Sequence, residues 1–302
     1  MVLCYHGLRR RDEADSWLRV EAGAFRRQLQ TLAGCGSFVN ADAFDRPESL
    51  QQPGPYFLLT FDDGYEDHAE LGLPILSQLG IPAVFFVSTH HLLTGEPFWF
   101  DRVVCGIRST GLPRIDLRSV GLGTYSFRGR RPAARWEGLQ QLLQDVKVAE
   151  GGGAGVLAPL LTRLTELAGS GAVPPPRPIA PAQLARMAKI GSCSIGSHGH
   201  THEILTTLDD ASLRESLERS KRELEGLTNL EVTRIAYPNG DADDRVVTAA
   251  AAAGYRRGFT VRPGAVSTDA DPLRLPRISI GGYDSPALVA AKVYELAVRR
   301  PA

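Results

Sequence analysis

Hydrophobic and polar positions along the 302-residue chain alternate between short apolar runs and longer stretches with helical spacing. Strands alternating with helices in this way predict a parallel α/β sheet. The apolar runs predict buried strands at residues 2–5, 57–61, 83–87, 234–237 and 257–261. Apolar residues three to four apart predict helices at 22–32, 66–79, 209–226, 244–253 and 286–299.

Polar residues that can bind a metal follow two apolar runs. Asp62 and Asp63 come directly after the second predicted strand, and His198 and His202 follow a later strand-like run. One carboxylate with two imidazoles is a three-ligand set that leaves coordination positions open, as in catalytic metal sites. The other carboxylate is then left to act as a base on water, so the set indicates a hydrolase. Placing these residues after strand ends predicts an α/β barrel, whose active site lies at the carboxyl ends of its strands.

Each half of this set has a second interpretation. An Asp-Asp-Gly sequence after a strand is also typical of a polar turn, and two His residues four apart can share one helix face without binding a ligand. The Gly and Ser residues between 192 and 199 disfavour a helix there. Three of the seven His residues fall within five positions, which packing explains poorly. Taken together, the two motifs favour a metal-dependent hydrolase.

These motifs resemble those of the polysaccharide deacetylases of the NodB-homology type, carbohydrate esterase family 4. The Thr-Phe-Asp-Asp-Gly motif of that family stands here as Thr60–Gly64, its His pair as His198 and His202, and its third motif as Ala236–Gly240. Cys4–Gly7 is similar to a bacterial exopolysaccharide-associated subgroup. The resemblance implies an incomplete (β/α) barrel of about seven strands with a helical insertion. It also implies a metal-dependent deacetylase acting on an N-acetylated amino sugar in a polysaccharide, oligosaccharide or glycan precursor.

The resemblance further implies roles for individual residues. Asp63, His198 and His202 would hold one divalent metal ion, with Zn2+ as the first candidate and Co2+, Ni2+ or Fe2+ compatible with the same ligand types. Asp62 would accept the proton of the attacking water. The backbone N–H of Tyr237 would stabilise the oxyanion.

The chain departs from the family at two places. No His follows His202, so the late Leu-x-His motif that protonates the leaving amine is absent. His6 follows the first predicted strand and would project at the same barrel end as Asp62; we predict it as the general acid, with a structural His as the alternative. The family often has an Arg two residues before the Pro of its third motif, where this chain has Ala236. Arg277 could reach that spot from another strand, or it could be a surface charge.

The stretch from about residue 94 to residue 190 breaks the alternation of strands and helices. It begins with the aromatic residues Phe98–Phe100, continues through a polar loop around Arg128–Arg131, and holds two segments with leucines at helical spacing. We interpret it as a helical insertion beside the mouth of a single domain spanning residues 1–302. The aromatic residues either pack the insertion onto the barrel or stack on sugar rings.

Composition narrows the classes of partner and the cellular location that the protein can have. The 34 basic and 34 acidic residues give a formal net charge of zero, which offers no electrostatic case for nucleic acid or an anionic membrane. Four scattered cysteines without a Cys-x-x-Cys pair favour free thiols. No run reaches the roughly 20 apolar residues that span a bilayer, and no signal-peptide pattern is visible. The sequence as written therefore predicts a cytoplasmic protein, with export by a removed leader left open and the oligomeric state not indicated.

Two other functions remain open at this level. The same metal centre would serve any exposed acyl amide, so the protein could be a deformylase or an acylated-amine deacylase. It could also be a catalytically silent carbohydrate-binding protein that kept the barrel. Asp62 disfavours the second alternative, because a binding module has no use for a base beside its metal ligands.

Overall fold

The computed structural model of the protein describes residues 1–13, 16–46, 48, 50, 54–127, 132–151, 153–169 and 171–298. The chain divides into two compact units, one formed by Met1–Gly95 together with Pro178–Ala302 and the other by Glu96–Arg177. The polar loop predicted around Arg128–Arg131 lies outside the described residues. Within the described part of the chain, no helix is both long enough and apolar enough to cross a membrane.

The first unit is built on one curled sheet. The strands of the protein are β1 (Val2–Tyr5), β2 (Gly7–Arg9), β3 (Arg19–Glu21), β4 (Ser37–Phe38), β5 (Tyr56–Phe61), β6 (Ala83–Val87), β7 (Arg114–Asp116), β8 (Thr124–Ser126), β9 (Cys193–Ser197), β10 (Arg234–Ala236), β11 (Arg257–Phe259) and β12 (Ile278–Ser279). Seven of them run in the order β11-β10-β9-β6-β5-β1-β12, and β4 also pairs with β5. All these pairings are parallel. The predicted incomplete (β/α) barrel of about seven strands is confirmed.

The central strands are apolar because both of their faces are covered. Every residue of β6 is buried, as is every residue of β5 except its first. Near-continuous apolar runs of this kind are typical of parallel sheets with helices packed on them. These runs were the clearest signal in the sequence, which explains why β5 and β6 lie within a residue of their predicted bounds.

The strand register brings the residues after the strands to one edge of the sheet. Tyr5 of β1 lies opposite Phe61 of β5, and the next amide, that of Asp62, donates to the carbonyl oxygen of Tyr5 at 3.0 Å. On the other side, the His198 amide donates to the carbonyl oxygen of Val87, the last residue of β6, at 2.9 Å. The segments that follow β1, β5 and β9 therefore meet at the carboxyl end of the sheet.

Helices cover the sheet and form most of the second unit. They are α1 (Ala22–Ala33), α2 (Ala41–Asp45), α3 (Leu73–Leu79), α4 (Thr89–Thr94), α5 (Trp99–Thr110), α6 (Pro132–Gly151), α7 (Leu157–Ala168), α8 (Pro181–Met187), α9 (Asp210–Thr228), α10 (Asp244–Ala252) and α11 (Pro286–Val298). The predicted stop of α9 at Gly226 is wrong, because the helix continues to Thr228. It ends at Asn229, which takes the left-handed conformation with φ 56°.

The helix predicted at 66–79 has two parts. A π-helix at His68–Gly72 runs directly into α3, whose first turn contains Pro74. Proline is tolerated there because the amides of a first turn lack partners within the helix.

The segment before β12 runs beside the edge strand β11. The Leu275 amide donates to the carbonyl oxygen of Gly258 at 2.8 Å, and the Thr260 amide donates to that of Leu275 at 2.9 Å. Two residues later the Arg277 amide donates to the carbonyl oxygen of Arg262, after which β12 pairs with β1. Arg277 therefore lies between the two ends of the open sheet, and its side chain is fully buried.

The second unit contains α5, α6, α7 and the antiparallel pair β7–β8. Its bounds are narrower than the predicted insertion, since α8 belongs to the first unit. The sequence prediction missed α5, which begins at Trp99 inside the aromatic residues. Phe98 is fully buried and stacks on Phe100, with ring centroids 5.2 Å apart, so this residue packs instead of offering a face to a ligand. That the whole chain acts as one domain stays a prediction.

Candidate active site

Three acidic and imidazole side chains converge at the carboxyl end of the sheet. Asp63, His198 and His202 each offer one ligand atom, and these atoms all lie within 4.8 Å of one another. The two imidazole Nε2 atoms lie 3.3 Å (His198) and 3.2 Å (His202) from Oδ1 of Asp63. The structure thus brings the three predicted metal ligands together.

The Asp63 carboxylate is buried without a hydrogen-bond partner. Its side chain is 2% exposed, and neither of its oxygens accepts a hydrogen bond from any group that the structure describes. A buried ionised carboxylate left in this state is strongly unfavourable, because it has lost water and gained no donor. A cation placed among the three ligand atoms would remove this penalty.

The backbone at the site is held in an uncommon conformation. Asp63 has φ 72° and His202 has φ 58°, in the left-handed region that non-glycine residues seldom occupy. Gly64 follows with φ 85°, and a Cβ there would lie 2.8 Å from a methyl carbon of Val87. Such conformations cost about 1–3 kcal/mol each and concentrate at functional sites.

The hydrogen bonding of His198 selects the tautomer that a metal ligand needs. Its Nδ1 lies 2.7 Å from the carbonyl oxygen of Ala236. Because a carbonyl oxygen only accepts, Nδ1 carries the proton, and the Nε2 lone pair of a neutral ring faces Asp63. Ala236, which stands where the family often has an Arg, thus orients the His198 imidazole through its backbone carbonyl.

An ion pair between protonated His198 and Asp63 is the alternative arrangement. Burial alone would lower the pKa of His198, but the carboxylates of Asp62 and Asp63 outweigh burial and raise it. However, the contacts of 3.2 and 3.3 Å exceed the 2.7–2.9 Å usual for charge-assisted hydrogen bonds. The three ligand atoms also lie close to one another, as ligand atoms around a single ion do. The donor set fits a divalent ion of borderline softness such as Zn2+.

Asp62 has a contrasting environment. Arg277 donates to both of its oxygens, Nη1 to Oδ1 at 2.7 Å and Nη2 to Oδ2 at 2.6 Å. The guanidinium is held by the Thr260 carbonyl oxygen at 2.8 Å and by the Thr60 hydroxyl at 3.3 Å. Burial alone would raise the pKa of Asp62, but the Arg277 charge lowers it to about 2. Asp62 is therefore ionised at neutral pH, and the alternative that Arg277 is a surface charge is wrong.

His6 lies beside Asp62, as predicted from its position after β1. A ring nitrogen of His6, the Cys4 sulfur and an oxygen of Asp62 all lie within 4.8 Å of one another. His6 is a half-buried residue. Burial lowers the pKa of His6, and the charges of Asp62 and Asp63 only partly oppose this. The geometry is compatible with a general acid, and the role itself stays a prediction.

Tyr237 does not offer the predicted oxyanion donor. Its backbone N–H donates to the carbonyl oxygen of Phe259 at 3.0 Å, within the pairing of β10 with β11. Its hydroxyl donates to the carbonyl oxygen of Leu273 at 2.9 Å. Because the amide proton is already used by the sheet, it is not available to an oxyanion, and we correct this assignment.

Sequence reasoning did not predict the contacts of other polar residues that support the site. The Cys4 thiol donates to Oδ2 of Asp62 at 3.5 Å, and His68 Nε2 lies 2.8 Å from the carbonyl oxygen of His6. The one available signal for Cys4 was its position two residues before His6, on the same face of an extended chain. His200 Nδ1 contacts the Thr89 hydroxyl at 2.8 Å, so this ring supports the loop between the two His ligands.

Comparisons with known proteins agree with this architecture. The sequence profile of the family described as polysaccharide deacetylase matches residues 50–258. YxkH of Bacillus subtilis (strain 168), named as a candidate polysaccharide deacetylase, is 32% identical over 98 residues, which is 32% of this chain and 35% of that protein. The match thus spans about a third of the length of this curated relative.

Several solved structures share the fold. The deacetylase PplD of Streptococcus pyogenes, solved in complex with acetate, has a TM-score of 0.62 at 21% identity, with 96% of both chains covered. IcaB from Ammonifex degensii has a TM-score of 0.59 at 19% identity, over 96% of this chain and 95% of that one. A de-N-acetylase from Aggregatibacter actinomycetemcomitans has a TM-score of 0.61 at 15% identity, over 96% and 98%. At these identities the likeness shows the fold, whereas the profile match over most of the chain shows the family: this protein belongs to the polysaccharide deacetylases.

Proposed function

We propose that this protein is a metal-dependent deacetylase that hydrolyses the N-acetyl group of an amino sugar in a polysaccharide, oligosaccharide or glycan precursor. One observation carries the proposal. A buried carboxylate without a partner, Asp63, faces two imidazoles, directly beside a second carboxylate, Asp62, whose charge is already paired. The family match and the titles of two relatives, one solved with acetate and one a de-N-acetylase, support an acetamide as the bond that is cleaved.

Asp63, His198 and His202 would hold the ion, with Zn2+ as the first candidate and Co2+, Ni2+ or Fe2+ also suited to these ligands. When bound, the ion supplies a Lewis acid for the acyl oxygen and lowers the pKa of water. The burial of Asp63 and the Nδ1–H contact of His198 with the Ala236 carbonyl fix two of these ligands in place before any ion arrives.

Asp62 would accept the proton of the attacking water. The two-point contact with Arg277 keeps the carboxylate ionised and restricts its rotation, which is the geometry that a base needs. Because the pKa of Asp62 is lowered to about 2, the base is in its working form over the whole neutral range. Arg277 acts here through Asp62 as a positioning residue.

His6 would give a proton to the amine as the C–N bond breaks. The lowered pKa of His6 makes its protonated ring a stronger acid, so transfer to an amine of much higher pKa is downhill. Its place beside Asp62 is set by the register of β1 and β5. Among the described His residues outside the proposed ligand set, His6 alone directly follows a strand of the sheet.

The test is acetate release from a panel of N-acetylated oligosaccharides and nucleotide sugars. Metal-stripped protein is assayed alone and after addition of Zn2+, Co2+ or Ni2+, with Asp62→Asn as the blank. We expect release only after metal is restored, and a loss of about 10²–10⁴-fold in the variant, because a positioned base contributes that much. Equal release by the variant, or by stripped protein, would contradict the proposal. If no acetyl substrate is hydrolysed but formyl or other acyl amides are, the protein is instead a different amide hydrolase.

A further inference from the structure

We propose that Asp67 and His68 are positioning residues that hold the segment His6–Leu8, and thereby fix His6 beside Asp62. The proposal rests on the role of His6 in the proposed function. Both residues follow the Asp62–Asp63 pair on the chain, in the turn that begins after β5. Neither belongs to the ligand set or contacts Asp62 among the described hydrogen bonds, so their effect on chemistry would pass through His6.

The two side chains bind backbone groups on either side of Gly7. His68 Nε2 lies 2.8 Å from the carbonyl oxygen of His6. A carbonyl oxygen only accepts, so the ring donates its Nε2 proton. Asp67 Oδ1 accepts the backbone N–H of Leu8 at 2.9 Å. Consecutive residues thus satisfy the carbonyl that precedes Gly7 and the amide that follows it, which fixes the direction in which the chain leaves β1.

Gly7 allows this close approach because it has no side chain. A Cβ at Gly7 would lie 2.8 Å from Cγ of Arg19 and 3.3 Å from Oδ2 of Asp67. Arg19 Nη2 in turn lies 3.4 Å from the same carboxylate oxygen, and Gly7 pairs with Arg19 in the β2–β3 ladder. The segment is therefore held by both side-chain and backbone contacts, with no room for adjustment at its centre.

The His68 ring is itself immobilised. It is 1% exposed, and its centroid lies 5.0 Å from that of Phe61, 5.8 Å from Phe85 and 5.9 Å from Tyr65. Phe61 directly precedes Asp62, so the ring that binds the His6 carbonyl packs on the strand that carries the base. An apolar residue would fill this space without the cost of burying a polar ring, whereas a buried imidazole needs a hydrogen-bond partner, and here that partner is the His6 carbonyl oxygen. The directed hydrogen bond indicates a positioning role.

The consequence for catalysis is geometric. A misplacement of about 1 Å at a reacting group can lower a rate by about 10²-fold, since proton transfer requires hydrogen-bond distance and alignment. Loosening the His6 carbonyl would let the imidazole swing relative to Asp62 without disturbing the metal ligands. The expected signature is a loss of kcat with little change in KM or in metal affinity.

The test compares two substitutions of similar volume at His68. His68→Gln keeps an N–H donor near the position of Nε2, whereas His68→Met removes it. We expect kcat to fall about 10–100-fold in His68→Met, with zinc affinity unchanged, and to be largely retained in His68→Gln. In a His6→Ala background the two His68 variants should have the same kcat, because coupled residues give non-additive effects. Equal losses in His68→Gln and His68→Met, or a full further loss in the His6→Ala background, would overturn the proposal.

A readout independent of turnover separates this proposal from the proposed function. Hydrogen exchange of the Leu8 amide should accelerate at least about tenfold in Asp67→Ala, because its acceptor is gone, and stay slow in Asp67→Asn, which keeps an oxygen there. The Leu59 amide within β5 is the internal control. If no substrate is turned over but Leu8 exchange responds in this way, the segment is held as proposed and the assigned reaction is wrong. Unchanged Leu8 exchange in Asp67→Ala would refute the positioning role itself.

Discussion

Asp62 and Asp63 are neighbours on the chain, and both are almost completely buried, yet their surroundings are opposite. Asp62 has both oxygens paired with Arg277 and a thiol contact from Cys4. Asp63 has no hydrogen-bond partner in the described structure and faces the imidazoles of His198 and His202. The charge of Asp62 is balanced by the protein itself and needs no bound ion. The charge of Asp63 would be balanced by a cation bound among the three ligand atoms.

This difference supports the two proposed roles without reference to any relative. The protein supplies the countercharge of Asp62, so its lone pairs are oriented but need no metal. In the proposed function the countercharge of Asp63 comes from a bound cation, and the left-handed backbone of the residue turns the chain sharply just after β5. Adjacent residues of one type thus have different surroundings because the sheet places Arg277 next to only one of them.

Removing the countercharge of Asp62 should have the largest effect on stability. Arg277→Met leaves the Asp62 charge buried and unpaired, and we expect a loss of about 3–5 kcal/mol in the free energy of unfolding. Urea denaturation at pH 7 measures it. The double variant Asp62→Asn with Arg277→Met should recover more than half of the loss, because no charge is then left unpaired. A single-variant loss below about 1 kcal/mol would mean that Asp62 is not dependent on Arg277, and the comparison with Asp63 would fail.

Lowering the pH should destabilise the protein through a second buried group near Asp62, the His68 imidazole. Burial lowers the pKa of His68 to about 4, against an ordinary value of 6.5. The folded state therefore resists protonation, so this stability is present above pH 6.5 and is lost as the pH falls from 6.5 toward 4. Between pH 7 and pH 5 the wild type should lose about 2 kcal/mol more than His68→Gln, whose side chain does not titrate. Parallel losses in the two proteins, measured by urea denaturation, would show that His68 is not buried as a neutral ring.

The smallest expected effect concerns the Cys4 thiol. A thiol is a weak donor, and a single hydrogen bond contributes about 0.5–1.5 kcal/mol. Cys4→Ala should therefore lower acetate release less than about tenfold, and Cys4→Ser should largely restore it. A loss as large as that of Asp62→Asn would show that the sulfur takes a direct part in the reaction and that Asp62 is not the sole base.

The sequence was most informative where one physical effect dominates. Apolar runs located β5 and β6, and the convergence of Asp63, His198 and His202 followed from their positions after strand ends. Arg277 was reached through the family resemblance, because Ala236 stands where the family often has an Arg, and burial of the Asp62–Arg277 pair shows why that charge is needed.

The remaining errors come from interactions set by three-dimensional register. The use of the Tyr237 amide by Phe259 depends on how β10 aligns with β11, which no local pattern reveals. The contacts of Cys4 and His68 likewise depend on the pairing of β1 with β5. In the second unit, α5 was missed because its aromatic first turn lacks an ordinary N-cap residue.

The central claim is best tested by metal binding in the two Asp variants. Wild type, Asp62→Asn and Asp63→Asn are dialysed against a chelator, loaded with Zn2+, and compared by elemental analysis and by competition with a chromogenic chelator. We predict one tightly held ion per chain in the wild type and in Asp62→Asn, and none retained by Asp63→Asn. If Asp62→Asn loses the ion, or if Asp63→Asn keeps it, the assignment of the two carboxylates is wrong.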